Sequence, residues 1–166
     1  MILVTGAAGK TGQAIIRALT ARQAAVRAFV YRPEHEQVVG ALDVQETVIG
    51  DLADEAAYFR AADGVDAVYH ICPNMNPYEE NLGIVAINSA KKAGVKGFVY
   101  HSVLHPQTEQ MPHHWHKLRT EARLFESGLN VTILQPAAYM QNILAGWRAI
   151  VDEGIYRVPY PVQTKL

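Results

Sequence analysis

Val4-Thr5-Gly6-Ala7-Ala8-Gly9-Lys10-Thr11-Gly12 is the stretch that decides the fold. Its three glycines stand at G-x-x-G-x-x-G spacing, directly after a short apolar run, Ile2–Thr5, and at the opening of a helical pattern, Thr11–Ala21. Each glycine has its own steric reason. Gly6 lets the chain turn sharply out of a strand, Gly9 lets the backbone come close to a pyrophosphate, and Gly12 lets helix and strand pack tightly. The helix N-terminus then offers N–H groups and a partial positive charge to an anion. Ordinary strand-to-helix turns share the glycine pattern, but here a strand precedes it, a helix follows, and a second strand arrives on schedule, which points to a dinucleotide. A mononucleotide phosphate loop is excluded, because a Gly-Lys-Ser/Thr ending does not follow at the required spacing.

Outward from this turn, short apolar or β-branched runs alternate with helix-like segments. Strands are expected at Ile2–Thr5, Val26–Tyr31, Glu46–Ile49, Ala67–Ile71, Gly97–His101 and Val131–Leu134. Helices are expected at Thr11–Ala21, Asp54–Ala61, Asn81–Ala93, His114–Glu126 and Met140–Val151, with a weaker one near Glu34–Val39. Such alternation predicts an α/β fold: a doubly wound parallel sheet of the Rossmann type, order 3-2-1-4-5-6, with right-handed crossovers and a ligand crevice between the first and fourth strands. A length of 166 residues suits one domain, 1–166. The closing run Val158-Pro159-Tyr160-Pro161 reads like the start of another element, so the C-terminal substrate-binding part is expected to be absent and the chain truncated.

Composition narrows the class. Hydrophobic residues make up 49% and charged residues 19%, the profile of a chain with buried strands and not of a disordered one. Fifteen Lys and Arg against 16 Asp and Glu leave a formal charge of -1, so no general attraction to nucleic acid or anionic membrane is expected and any anion site is local. Cys72 is the only cysteine, which excludes an internal disulfide and a cysteine-rich metal site and fits a reducing cytosol. The N-terminus lacks a basic flank and meets glycine too early for a signal peptide, and no apolar run reaches membrane-spanning length, so a cytoplasmic protein is expected.

The second strand ends at Phe29-Val30-Tyr31-Arg32, where an NAD-preferring site carries an acid for the ribose 2′-hydroxyl. Arg32 stands there instead. Its guanidinium suits a 2′-phosphate, so NADP(H) is favoured over NAD(H); the alternative is a solvated arginine at a strand end. Asp51 and Leu52, after the third strand, fall where an adenine ring would lie, although Asp51 is equally readable as a helix cap. Ile71, Cys72 and Pro73, at and beyond the end of the fourth strand, would pass beside the pyrophosphate and ribose, and Cys72 reads as a small buried group more readily than as a redox thiol.

These residues, with Lys92-Ala93-Gly94-Val95-Lys96, His101-Ser102 and Leu134-Gln135-Pro136-Ala137-Ala138-Tyr139-Met140-Gln141-Asn142, resemble the NmrA-like branch of the atypical short-chain dehydrogenase/reductases over essentially the whole chain. The last run is the most family-specific. The resemblance implies either a reductase of the quinone or isoflavone type or a nucleotide-sensing regulator without chemistry. It also carries over an expected site: Gly6, Ala8, Gly9, Lys10, Thr11 and Gly12 on the pyrophosphate, Gln135 and Pro136 beside the cofactor, and Lys117 on the nicotinamide ribose. In the wider superfamily a Tyr-x-x-x-Lys pair and a Ser or Thr at the strand end perform the proton chemistry. Here Lys117 matches the lysine and Ser102 the serine, but the tyrosine position holds His113, which departs from the pattern. A histidine titrates near neutrality and is the catalytic candidate in its place.

The other histidines divide between two readings. His113, His114 and His116 cluster beside Trp115; with no carboxylate or cysteine at a matching spacing, a solvated helix start is expected and not a metal site. His70, His101 and His105 end or follow strands near the expected crevice, so His105 lines a substrate pocket or is a loop residue. Tyr139, Met140 and Trp147 read as core or dimer-packing residues. Two principal functions follow: an NADPH-dependent oxidoreductase acting on a small molecule such as a quinone or enone, or a non-catalytic NAD(P) sensor with a protein partner. A sugar-nucleotide epimerase is a weaker alternative, since such enzymes keep the tyrosine. Apolar surface left by an absent lid favours a homodimer.

Overall fold

A computed structural model describes residues 1–108 and 110–157, and the chain divides into two compact units, Met1–Gln135 and Pro136–Leu166. Strands and helices alternate through the first unit: β1 (Ile2–Val4), α1 (Lys10–Thr20), β2 (Val26–Val30), α2 (His35–Gly40), β3 (Glu46–Ile49), α3 (Glu55–Ala62), β4 (Ala67–His70), α4 (Glu79–Lys92), β5 (Gly97–His101), α5 (Pro112–Glu126) and β6 (Val131–Leu134). All sheet pairs among the described residues are parallel, in the order β3-β2-β1-β4-β5-β6. The doubly wound fold and strand order expected from the sequence are therefore present. Strand order reverses between β1 and β4, which opens the crevice where such sheets take ligands.

Alternation along the strands sends side chains to two separate cores. On one face Leu3, Phe29, Val68, Phe98 and Tyr100 pack with Tyr58, Ala61, Ala86, Ile87 and Leu124 of α3, α4 and α5. On the other, Val4, Ala28 and Val30 pack with Ile16 of α1 and Val39 of α2. Covering is uneven, because on β6 Thr132 and Leu134 are exposed while Val131 and Ile133 are half-buried. Local signals set the helix ends. Asp54 caps α3 by accepting from the amides of Ala56 and Ala57, and Pro112 occupies the first position of α5, where its missing N–H costs nothing. Helices α4 and α5 meet at Gly83, where an added Cβ would stand 2.5 Å from Thr120 Cγ2.

In the second unit, the single helix expected over Met140–Val151 is instead a 3-10 segment, Met140–Gly146, followed by a short helix, α6 (Trp147–Glu153). Gly146 sits at the junction with φ -102° and ψ 9°, outside α-helical geometry, which breaks the run. Met140 and Trp147, expected as core or dimer-packing residues, are exposed, and Tyr139 is 43% exposed, so the core reading fails for them. The closing run from Val158 lies outside the described residues.

His70 was expected near the crevice and lies in the core, wholly buried between rings of Tyr58, Phe98 and Tyr100. Its Nδ1 is 3.0 Å from the Tyr58 hydroxyl and 3.2 Å from Thr5 Oγ1. Burial, with the Lys117 charge adding to it, lowers the ring to about 3 from an ordinary 6.5. The unfolded chain therefore binds a proton that the folded chain refuses between those values, and stability falls as pH drops through this window. His101 and His113, lowered in the same direction, add to the loss. Denaturant melts at pH 7 and pH 5 should show wild type weakening with a slope of up to about 1.4 kcal/mol per pH unit from His70 alone, and His70→Phe should show a clearly shallower slope. Equal slopes would rule out a neutral, buried His70.

Candidate functional site

The glycine turn is built against the end of β4. Gly6 leaves β1 with φ +58°, a conformation that disfavours any side chain, and a Cβ there would stand 3.0 Å from the Ile71 carbonyl oxygen. Thr5 anchors the turn from inside: its hydroxyl donates to the Ile71 carbonyl at 3.1 Å and accepts from the Ile71 amide at 2.8 Å. The amide of Gly9 closes the turn on the Gly6 carbonyl at 3.0 Å, and Gly9 then stands as the N-cap of α1 with no side-chain cap and no acid in the first turn. Lys10 and Gly9 are exposed at this end. A helix start presented this way, without a carboxylate of its own, suits an anion. Gly12, buried beneath the turn, would collide with the Gly6 carbonyl oxygen if it carried a Cβ.

The other sequence-selected residues arrange around this turn as follows. Arg32, exposed just beyond β2, has its guanidinium carbon 5.8 Å from the Tyr31 ring centroid. Asp51 is exposed and accepts from the amide of Ala53 at 2.9 Å, so it shapes a turn; the helix cap is Asp54, which overturns the reading of Asp51 as cap. Leu52 is half-buried, Ile71 and Cys72 are buried, and Pro73 is exposed. Burial pushes the Cys72 thiol well up, with the Glu79 charge adding to it, so it stays protonated at neutral pH. Gln135 closes the first unit and Pro136 opens the second.

Beyond β5 the structure shows a polar cluster that sequence reading only half found. Lys117 Nζ donates to Glu79 Oε1 at 2.5 Å and to the His101 carbonyl at 3.2 Å, and stands 5.4 Å from the Tyr100 ring centroid. Tyr100 donates its hydroxyl to the same Glu79 oxygen at 2.7 Å. Burial first, then the Glu79 charge, raises Tyr100 far above its usual range, so it is a fixed donor and not an acid. Ser102 donates its hydroxyl to Glu121, whose two carboxylate oxygens also accept from Gln135 Nε2 at 3.0 Å each. Thus Ser102 and Lys117, both expected at the site, are each engaged by a buried carboxylate from α5 or α4.

Glu79 and Glu121 were missed, yet helical phase carries a signal for both. Glu79 falls in register with Leu82, Gly83, Ala86 and Ala90, and Glu121 with His114, Lys117 and Leu124, all on buried faces. The histidine stretch divides. His114 is buried and its Nδ1 donates to the His105 carbonyl at 2.9 Å, which corrects the expectation of a solvated helix start for that residue. His113 is half-buried, its ring edge-on to His114 at 4.6 Å, and burial with the His114 charge lowers it, leaving it neutral at pH 7. His105 is an exposed loop residue with φ +55°. Among the described residues no group of three or more His, Cys, Asp or Glu is placed to hold a metal ion, and no helix is long and apolar enough to cross a membrane.

A Rossmann-type parallel sheet with a glycine turn at its topological switch point defines the class. The chain belongs to the NmrA-like family, whose model matches residues 1–165. It is 32% identical to quinone oxidoreductase 2 of Escherichia coli K12, covering 94% of this chain and 55% of that protein. It is 31% identical to an NAD(P)H azoreductase of Xenophilus azovorans, covering 96% of this chain and 55% of the relative. The crystal structure of the Escherichia coli NADPH-dependent quinone oxidoreductase complexed with NADPH superimposes with a TM-score of 0.80 at 31% identity, over 93% of this chain and 55% of that one. The chain thus spans about half the length of the curated relatives it matches.

The glycine turn makes a steric prediction. Gly12→Ala should lower stability by about 1–3 kcal/mol, because the colliding groups are backbone and cannot rotate aside, whereas Gly40→Ala, with nothing within 4 Å of its added Cβ, should change little. Thermal unfolding of the two variants tests this; a Gly12→Ala protein as stable as wild type would show that the helix does not rest on the turn.

Proposed function

We propose that this chain is the NADP(H)-binding part of an oxidoreductase that reduces a small quinone-like or enone substrate. The observation that carries it is the Gly6 turn, wedged on Ile71 and opening onto a helix start free of acids and side-chain caps. Gly6, Ala8, Gly9, Lys10 and Thr11 hold the pyrophosphate there, with Gly12 as the packing contact beneath. Arg32, exposed beside Tyr31, meets a 2′-phosphate with charge-assisted hydrogen bonds. Asp51 and Leu52 flank the adenine. Ile71 serves through its backing of Gly6, while Cys72 and Pro73 lead past the ribose. The similarity to an NADPH-dependent quinone oxidoreductase and an NAD(P)H azoreductase supports the same reading.

When bound, the cofactor supplies the hydride. Lys117, fixed on the His101 carbonyl, turns a further N–H to the nicotinamide ribose. Ser102 has committed its proton to Glu121 and acts as an acceptor for a bound group. Proton delivery falls to His113 in the position where the wider superfamily has a tyrosine. A neutral His113 at pH 7 makes it a weak donor, and this favours a second reading in which the chain binds NAD(P) and signals its redox state without turnover.

Calorimetric titration of NADPH and NADH into wild type and Arg32→Ala tests the binding reading: wild type should prefer NADPH by at least tenfold, about 1.4 kcal/mol, and Arg32→Ala should lose that preference. Binding of neither cofactor would overturn it. NADPH oxidation with a panel of quinones and enones separates the two functions, since steady turnover requires the reductase and silence with intact binding leaves the sensor.

A further inference from the structure

We propose that Glu79 is the positioning residue of this site: its buried carboxylate is the counter-charge that holds the Lys117 ammonium against the end of β5, with one donor left for a ribose hydroxyl. The inference rests on the ribose role given to Lys117 above. Three observations support it. Glu79 is fully buried although it opens α4, where an acid is ordinarily solvated. Its Oε1 accepts from both Lys117 and Tyr100, which fixes the carboxylate from two elements. Its Oε2 is buried and has no hydrogen-bond partner among the described residues, so the charge is held through Oε1 alone. An ammonium has three donors; Glu79 of α4 and the His101 carbonyl of β5 take two of them.

A buried lysine without a counter-charge sheds its proton near neutral pH. Removing the Glu79 charge should therefore leave Lys117 charged at low pH and neutral at high pH, and a merely structural role for Glu79 would not produce that dependence. The groups that face the pair are Tyr100 and His101 from β5, His70 from β4, Cys72 beyond it, and His113 and Glu121 on α5 itself. Between pH 7 and 9.5 burial keeps His70, His101 and His113 neutral and keeps Tyr100 and Cys72 protonated. Glu121 is engaged by Ser102 and Gln135. Glu79 and Lys117 themselves face each other across α4 and α5 at 2.5 Å.

The test compares the full chain with Glu79→Gln, Glu79→Asp and Lys117→Met. NADPH affinity is measured by calorimetry from pH 7 to 9.5, and the labelled lysine side chains are titrated by NMR without cofactor. Wild-type affinity should be flat with pH. Lys117→Met should bind at least tenfold more weakly at every pH. Glu79→Gln should approach wild type at pH 7 and fall by tenfold or more by pH 9.5, with a Lys117 resonance that titrates inside the window; Glu79→Asp should restore most of the affinity and move the resonance back out. If Lys117→Met binds NADPH as well as wild type, the ribose role fails. The NMR titration then still judges Glu79, because a Lys117 resonance unmoved by Glu79→Gln overturns the pairing. If Glu79→Gln does not fold, Glu79→Asp decides, and an unchanged resonance with a uniform loss of affinity at all pH values would make Glu79 structural.

Discussion

The wedge of Gly6 against the end of β4 is the constraint on which the rest of this structure depends. β1 and β4 are neighbours at the one place where strand order reverses; past their last paired residues the Thr5 amide makes one more backbone bond, to the Tyr69 carbonyl at 3.0 Å, and the chains then need a hold of another kind. Thr5 supplies that hold with a single hydroxyl that donates to one backbone group of Ile71 and accepts from the other. A valine of the same shape would leave both backbone groups unpaired in the core. The turn, the helix that rests on it and the crevice beside it all inherit their geometry from this junction.

A second level of organisation lies on the α4–α5 side, where the fold buries charge deliberately. Two acids, Glu79 and Glu121, sit under the end of β5 with Lys117, Tyr100, Ser102 and Gln135 as their donors. Buried ion pairs seldom add much net stability, since desolvation offsets most of the attraction. What they provide is placement: the hydroxyl of Ser102 and the ammonium of Lys117 are each directed by a buried carboxylate.

Much of this was legible in the sequence, and the division follows physical lines. Parallel strands buried on both faces announce themselves as apolar runs, and the Gly6-Ala7-Ala8-Gly9 turn does so by steric need, so strands and turn were readable from local information, while strand order followed from the alternation of strands and helices. Arg32 could be placed because it follows a strand end. Glu79-Glu80, by contrast, look like two ordinary acids at a helix start, where the dipole favours negative charge. Only the phase of Leu82, Gly83 and Ala86 tells that Glu79 turns fully inward, while Glu80 stays half-buried against Arg119 and Arg123 of α5. His70 was misplaced for a related reason: a strand's last residue points to core or to crevice according to its pleat, and His70 shares the pleat of Val68. The break at Gly146 was hidden because an apolar period continues across it while the backbone does not.

Gly83 acquires a meaning that its chemistry does not suggest. It lies one helical turn after Glu79, and its partner Thr120 lies just under one turn after Lys117, so the tight contact between them is the next rung above the buried charge pair. A residue with no side chain thereby gauges an electrostatic distance. Any side chain there would lever α4 from α5 and dilute the attraction between carboxylate and ammonium, so tolerance to substitution at Gly83 is governed by a charge it does not carry.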